Sequence, residues 1–140
     1  MSDESYAGDV MPAEAWRILK DAPDAVLVDV RTDAEWRFVG IPDLAPVGKQ
    51  VHLVQWQLFP DGRPNPDFVG TVAGLLEMDQ PVLFLCRSGA RSRAAAMALT
   101  AAGYGPCYNV AQGFEGDKDG DGHRGRVGGW KHAGLPWRQE

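Results

Sequence analysis

The chemistry most legible in this chain lies in seven consecutive residues, Cys86-Arg87-Ser88-Gly89-Ala90-Arg91-Ser92. They follow the apolar run Val82-Leu83-Phe84-Leu85 and lead into an alanine-rich stretch, Ser92 to Ala102, that stops before Gly103. A cysteine between a strand and a helix start lies at the positive end of the helix dipole. Gly89 lets the intervening backbone curl so that its N–H groups converge on the sulfur. Those donors, with Arg87 and Arg91, stabilise a sulfur anion and can hold an anionic group brought to it. One loop thus supplies a nucleophile and a cradle. The plainer alternative is an inert buried cysteine beside a solvated helix start, and the conjunction of strand end, glycine and two arginines weighs against it.

Charge points to the same window. The 140 residues carry a formal net charge of −5, a poor basis for binding a nucleic-acid backbone. From Gln80 to Phe114, however, there is no Asp or Glu, while Arg87, Arg91 and Arg93 fall there. The remainder therefore holds 11 basic against 19 acidic residues. What this pattern favours is one small anion held locally. No apolar run approaches a membrane span and the start has no basic region followed by an apolar one, so the expectation is a soluble, cytoplasmic protein. The second cysteine, Cys107, lacks metal-ligand spacing to the first and reads as a small buried hydrophobe, the sharper option being a disulfide partner that resolves Cys86.

The elements that must position this loop alternate between strand and helix. Pro12 to Lys20 reads as a helix with proline at its first position, and Ala25 to Val30 as a buried strand. Thr32-Asp33-Ala34-Glu35 has the capping-box pattern and starts a brief helix towards Phe38. Gln50 to Val54 is a strand, Asn65 and Pro66 cap and open a helix to about Met78, and Cys107 to Val110 is a last strand. This alternation predicts an α/β fold, a parallel sheet with helices on both faces joined by right-handed crossovers. Ligands of such sheets bind beyond the carboxyl ends of the strands, so Arg31 to Phe38, Gln55 to Phe59, Cys86 to Ser92 and Gln112 onward share one edge.

The loop resembles the active-site loop of the rhodanese-like sulfurtransferases, in which a cysteine opens a six-residue loop and becomes a persulfide. Leu27-Val28-Asp29-Val30-Arg31 with Glu35-Trp36 is similar to that family's first signature. Asn109-Val110 with Gln112-Gly113-Phe114, and Gly129-Trp130 with Gly134-Leu135-Pro136, are similar to its closing pattern. The resemblance covers nearly the whole chain, residues 1–140 as one domain. It implies a rhodanese-like, five-stranded parallel sheet with the loop strand central, Cys86 as nucleophile, and residues 87–92, namely Arg87, Ser88, Gly89, Ala90, Arg91 and Ser92, around the substrate. Asp29, Arg31, Glu35 and Trp36 would support the site, with Arg31 and Glu35 expected to pair. The implied reaction moves sulfane sulfur from thiosulfate or a persulfide donor to a thiol, cyanide or a protein acceptor, with no cofactor and no metal. The competing reading is a persulfide carrier with little thiosulfate turnover. Related cysteine phosphatases need an arginine six positions after the cysteine and usually a histidine before it; here those positions are Ser92 and Leu85.

Two departures stand out. Gly40-Ile41-Pro42-Asp43-Leu44-Ala45 lacks a histidine and second glycine often found there, and residues 115–128 form an added surface loop near the catalytic edge, a candidate lid. Within it Asp117 to Gly122 matches half of an EF-hand, but position 12 is Gly128 rather than glutamate, so a polar surface loop is the better reading. His123, Arg124 and Arg126 read most simply as solvated loop residues, the sharper option being contact with an acidic acceptor or a sulfite group. Trp36, Trp56 and Phe114 fall at the same edge and could wall the site, although aromatics at element ends are more often simply core. His52, in a strand, and His132, in a last short helix, are given no role.

Overall fold

A computed structural model describes residues 6–58 and 61–139. Five strands form a parallel sheet: β1 (Gly8–Val10), β2 (Val26–Asp29), β4 (His52–Leu53), β5 (Asp79–Leu85) and β6 (Gly105–Val110), in the order β1-β6-β5-β2-β4. The central strand is β5, the one that feeds Cys86. Side chains alternate along each strand, so the sheet divides the core in two. Leu27, Leu83 and Leu85 face α1 (Pro12–Asp21), which buries Ala15 and Leu19. Val28, Val30, Val82, Phe84 and Cys86 face α3 (Phe68–Ala73) and α4 (Ala90–Ala101), which bury Phe68, Val72, Ala95, Ala96 and Leu99. The alanines let α4 sit close to the sheet, and the helices lie on both faces as expected. The short α2 (Asp33–Val39) fully buries none of its residues and serves the sheet edge.

Several boundaries differ from the sequence reading. The third helix is six residues rather than a run from 65 to 78. Its cap is Asp67, because Asn65 spends its amide on the Gln55 carbonyl (2.8 Å) and its oxygen on the Asp67 N–H (3.0 Å), and the chain turns at Gly74. Strand β4 shrinks to two residues because it is an edge, paired among the described residues with β2 alone. Strand β1 has no counterpart in the sequence reading, since three residues with one buried position leave too little periodicity. Residues 130–134 form turns rather than the short helix expected around His132. A second, two-stranded antiparallel sheet joins β3 (Ile41–Pro42) to β7 (Trp137–Arg138).

Candidate active site

Cys86 leaves the central strand directly into the turn before α4, and its residue surface is 1% exposed. Gly89 is the helix cap, with φ +118, a conformation costly for any residue with a Cβ. That conformation aims the Gly89 N–H back at the Cys86 sulfur, 3.1 Å away. The Ser92 hydroxyl oxygen lies 3.2 Å from the same sulfur and is wholly buried. Ala90 and Arg91, in the first turn of α4, carry N–H groups that no helix satisfies internally. The sulfur therefore sits at a helix N-terminus with the Gly89 N–H directed at it. From the other side, Gln112 and Gly113, both with φ above +50, turn the chain after β6 onto the loop. A Cβ on Gly113 would overlap the Cys86 carbonyl oxygen, so only glycine permits this approach. Phe114 N–H then donates to Cys86 O (2.8 Å) and Glu115 N–H to Arg87 O (3.0 Å).

The charged residues group differently from the sequence expectation. Arg31 and Glu35 do not pair with each other. Arg31 is fully buried and pairs with Asp29, Nη2 to Oδ2 at 2.7 Å with Nε on the same carboxylate, and Nη2 also donates to the Gly40 carbonyl (2.7 Å). Its guanidinium lies over the Phe114 ring at 4.2 Å. Glu35 instead takes Arg91 in a bidentate pair at 2.7 and 3.0 Å, while completing the capping box with Thr32. Both side chains are 20% exposed. Burial pushes the Glu35 carboxyl upward, but the hydrogen bonds and charge of Arg91, with help from Thr32 and Arg31, hold it below its ordinary value. Burial likewise opposes the Arg91 charge and is overcome by Glu35, with the charge of Cys86 contributing in the same sense. The physical reason for the changed pairing is reach: Arg31 points into the core, where Asp29 two residues earlier is the available carboxylate, whereas α2 turns Glu35 towards the loop. Arg91 thus ties α2 to the loop, and its charge is met by the protein rather than left for a ligand. Arg87 is exposed and has no ion-pair partner among the described residues.

The added loop adjoins the site, and several of its polar groups bond within the loop itself. Arg124 donates to the Gly116 carbonyl (2.7 Å), and Arg126 approaches Asp119 at 3.4 Å. Asp119 also accepts from the N–H groups of Asp121 and His123, both at 2.9 Å, so its carboxylate builds the turn. His123 enters this turn through its backbone. Cys107 cannot meet Cys86: Val82 is its register partner on β5, and Cys86 lies four residues further, about 13 Å at strand rise. A disulfide needs Cα atoms about 4.4–6.8 Å apart. Burial pushes the Cys107 thiol up, with Thr100 opposing weakly.

The aromatic residues have structural partners. Trp56 packs edge-on against Phe68 at 4.9 Å, Phe114 is fully buried under Arg31, and Trp36 is half-buried, its indole N–H without a partner among the described residues. Where the Gly40 segment departs from the family pattern, the C-terminal strand fills the wall, and a Cβ on Gly40 would strike Trp137 and the Arg138 carbonyl. Lys131 Nζ stacks over Trp137 at 3.9 Å and donates to the Val39 carbonyl (3.1 Å), fastening that strand. Asn109, whose place in the site its sequence neighbours do not show, is 4% exposed and bonded to Ser92 and Asp9. A polar residue within an apolar strand was the available signal, because a buried amide needs partners. Of the four segments expected at the edge, the Asp33 N–H to Gln55 side-chain bond (3.1 Å) joins the first two, and Phe59 lies outside the described residues.

Comparison with known proteins agrees with this architecture. A Mycobacterium tuberculosis protein of known crystal structure, Rv0390, superposes with a TM-score of 0.90 at 52% identity, covering 97% of this chain and 100% of that one. A polysulfide-sulfur transferase homodimer from Wolinella succinogenes shares the fold at TM-score 0.63 and 22% identity, covering 98% of this chain and 80% of that one. In sequence, the thiosulfate sulfurtransferase GlpE of Actinobacillus succinogenes is 32% identical over 128 residues, 91% of this chain and 87% of its own. An uncharacterized Rickettsia conorii protein is 40% identical over 129 residues, 92% of this chain and 95% of its own. The profile of the Rhodanese-like domain matches residues 11–119, and with the five-stranded sheet and the loop on its central strand, the chain belongs to the rhodanese-like family.

Proposed function

We propose that this protein is a sulfurtransferase that carries sulfane sulfur as a persulfide on Cys86. The observation that carries the reading is the Gly89 N–H aimed at the Cys86 sulfur from the cap of α4, at the end of the central strand. The Cys86 thiolate attacks the outer sulfur of thiosulfate or of a persulfide donor, forming an S–S bond as the donor's own S–S bond breaks. Its electron pair leaves with sulfite, or with the donor thiolate. The loop N–H groups and the exposed Arg87 stabilise the charge growing on that leaving group. Arg91, engaged by Glu35, holds the loop in shape. An acceptor thiolate or cyanide then attacks the terminal sulfur, and the Cys86 thiolate is regenerated. No general base is required once the thiolate is the reacting form.

Burial of Cys86 favours a slim sulfur-terminated donor, and the six-residue loop fits a sulfur atom better than a phosphoryl group. The small anionic donor and the thiol or protein acceptor are partners of this reading, as is the assignment of 115–128 as a loop bordering the site. Persulfide labelling of Cys86 after exposure to thiosulfate, measured beside thiosulfate:cyanide and thiosulfate:thiol turnover, tests it. Labelling with turnover is expected, both abolished in Cys86→Ala. Thiosulfate turnover retained by Cys86→Ala would overturn the mechanism, and labelling without turnover would identify a persulfide carrier.

A further inference from the structure

A continuous hydrogen-bonded chain runs from the exposed edge of the sheet to the reactive sulfur. Asp9 on β1 and Asn109 on β6 are register partners, and the Asn109 amide Nδ2 donates to Asp9 Oδ1 at 3.0 Å. The Tyr6 hydroxyl donates to the same oxygen at 2.7 Å. With its nitrogen turned to Asp9, Asn109 presents its oxygen to Ser92, and at 2.5 Å the Ser92 hydroxyl must donate to it. Ser92 has one proton. Spending it on Asn109 leaves lone pairs, not a donor, facing the Cys86 sulfur 3.2 Å away.

We propose that Asp9 and Asn109 are positioning residues that hold the Ser92 hydroxyl as an acceptor towards Cys86 and thereby restrain the reactivity of the resting cysteine. A sulfur anion is best served by donors, as from Gly89, so an acceptor hydroxyl 3.2 Å away opposes it. For Ser92 to turn its proton to the sulfur, it must leave the Asn109 oxygen. Asp9 opposes this by anchoring the amide in the orientation that offers that oxygen. Tyr6 is held in its neutral form by the same carboxylate, chiefly through their hydrogen bond, with burial and the Asp9 charge adding and Arg93 opposing. The other charged groups around the sulfur belong to separate contacts: Arg91 with Glu35, Asp29 with Arg31, and Arg87 in solvent. Asp9 itself is faced by Tyr6 and Asn109, with Arg93 over the Tyr6 ring at 5.8 Å.

This inference concerns the site assigned above to sulfur transfer, but its test reads the cysteine directly and does not need turnover. The rate of Cys86 alkylation by iodoacetamide is measured across pH in the wild type and in variants of the exposed Asp9. Asp9→Ala frees the amide to turn over, so Ser92 can donate to sulfur. Alkylation near pH 7 should rise about fivefold, the effect of one net hydrogen bond, and the rate–pH profile should move towards acid. Asp9→Asn removes the charge but keeps an acceptor oxygen, and should stay within about twofold of wild type. Asn109→Ala, which removes the acceptor itself, should accelerate alkylation at least as much as Asp9→Ala. In a Ser92→Ala background, Asp9→Ala should have no effect. An unchanged or slower rate in Asp9→Ala would overturn the proposal. So would an equal gain in Asp9→Asn, which would show a through-space charge effect, or a gain that persists without the Ser92 hydroxyl.

Discussion

Replacing Glu35 by alanine tests whether the loop is held by the ion pair to Arg91. The substitution removes two things at once. The first is the capping box on α2, in which Glu35 accepts from the Thr32 N–H at 3.2 Å, and loss of such a cap costs about 1 kcal/mol. The second is the bidentate partner of Arg91. Exposed pairs contribute up to about 1 kcal/mol, whereas breaking a fully buried one costs about 3–5. With both side chains 20% exposed, about 2 kcal/mol is appropriate. The total, about 3 kcal/mol, corresponds to a fall in melting temperature of about 10 °C for a chain of this size. Thr32→Ala isolates the cap and should cost about 1 kcal/mol. A double-mutant cycle of Glu35→Gln with Arg91→Leu, followed by urea unfolding, should give a coupling of about 1–2 kcal/mol. Because the folded-state carboxyl titrates below its ordinary value of 4.5, the pair's contribution is fully present above that pH and is lost as pH falls through the lower folded value. The stability gap between wild type and Glu35→Gln should therefore be constant from pH 7 to about 5.5 and close below 4.5. A coupling under about 0.3 kcal/mol, or an unchanged gap at acid pH, refutes the argument.

Other expectations follow from single contacts. Gly113→Ala forces a left-handed alanine whose Cβ overlaps the Cys86 carbonyl; it should cost about 3 kcal/mol in urea unfolding, and a cost below about 1 would contradict the close approach. Arg87→Ala should weaken use of thiosulfate more than of a neutral persulfide donor, while Arg91→Leu should lower stability as well, as read by KM for the two donors beside melting temperature. Oxidised protein digested under non-reducing conditions should yield no Cys86–Cys107 peptide by mass spectrometry, since the strands hold the two about 13 Å apart. Lys131→Met keeps the packing on Trp137 but loses the bond to Val39, and should speed amide exchange across Ile41 and Arg138.

The legibility of this chain varies with the range of the interaction that decides each feature. The Thr32–Glu35 capping box, the Pro12 helix start and the buried strands were readable because neighbouring residues settle them. The Cys86 loop was readable for the same reason: strand, glycine and helix start are contiguous, and their order alone puts a sulfur beneath backbone donors. Which carboxylate each arginine takes was not readable. Arg31 with Asp29 and Arg91 with Glu35 depend on how far α2 swings over the sheet edge, a distance set by packing. The same holds for the wall closed by Trp137 and Arg138, and for Asn109, whose partners Asp9 and Ser92 lie 100 and 17 residues away along the chain. The sequence by itself determined where Cys86 sits between strand and helix, the sheet and the local charge. Only the tertiary structure decided that Arg91 is committed to Glu35, that Cys107 is out of reach, and that Ser92 lies between Asn109 and the sulfur. Those depend on register and burial, which bring together residues that no spacing along the chain relates.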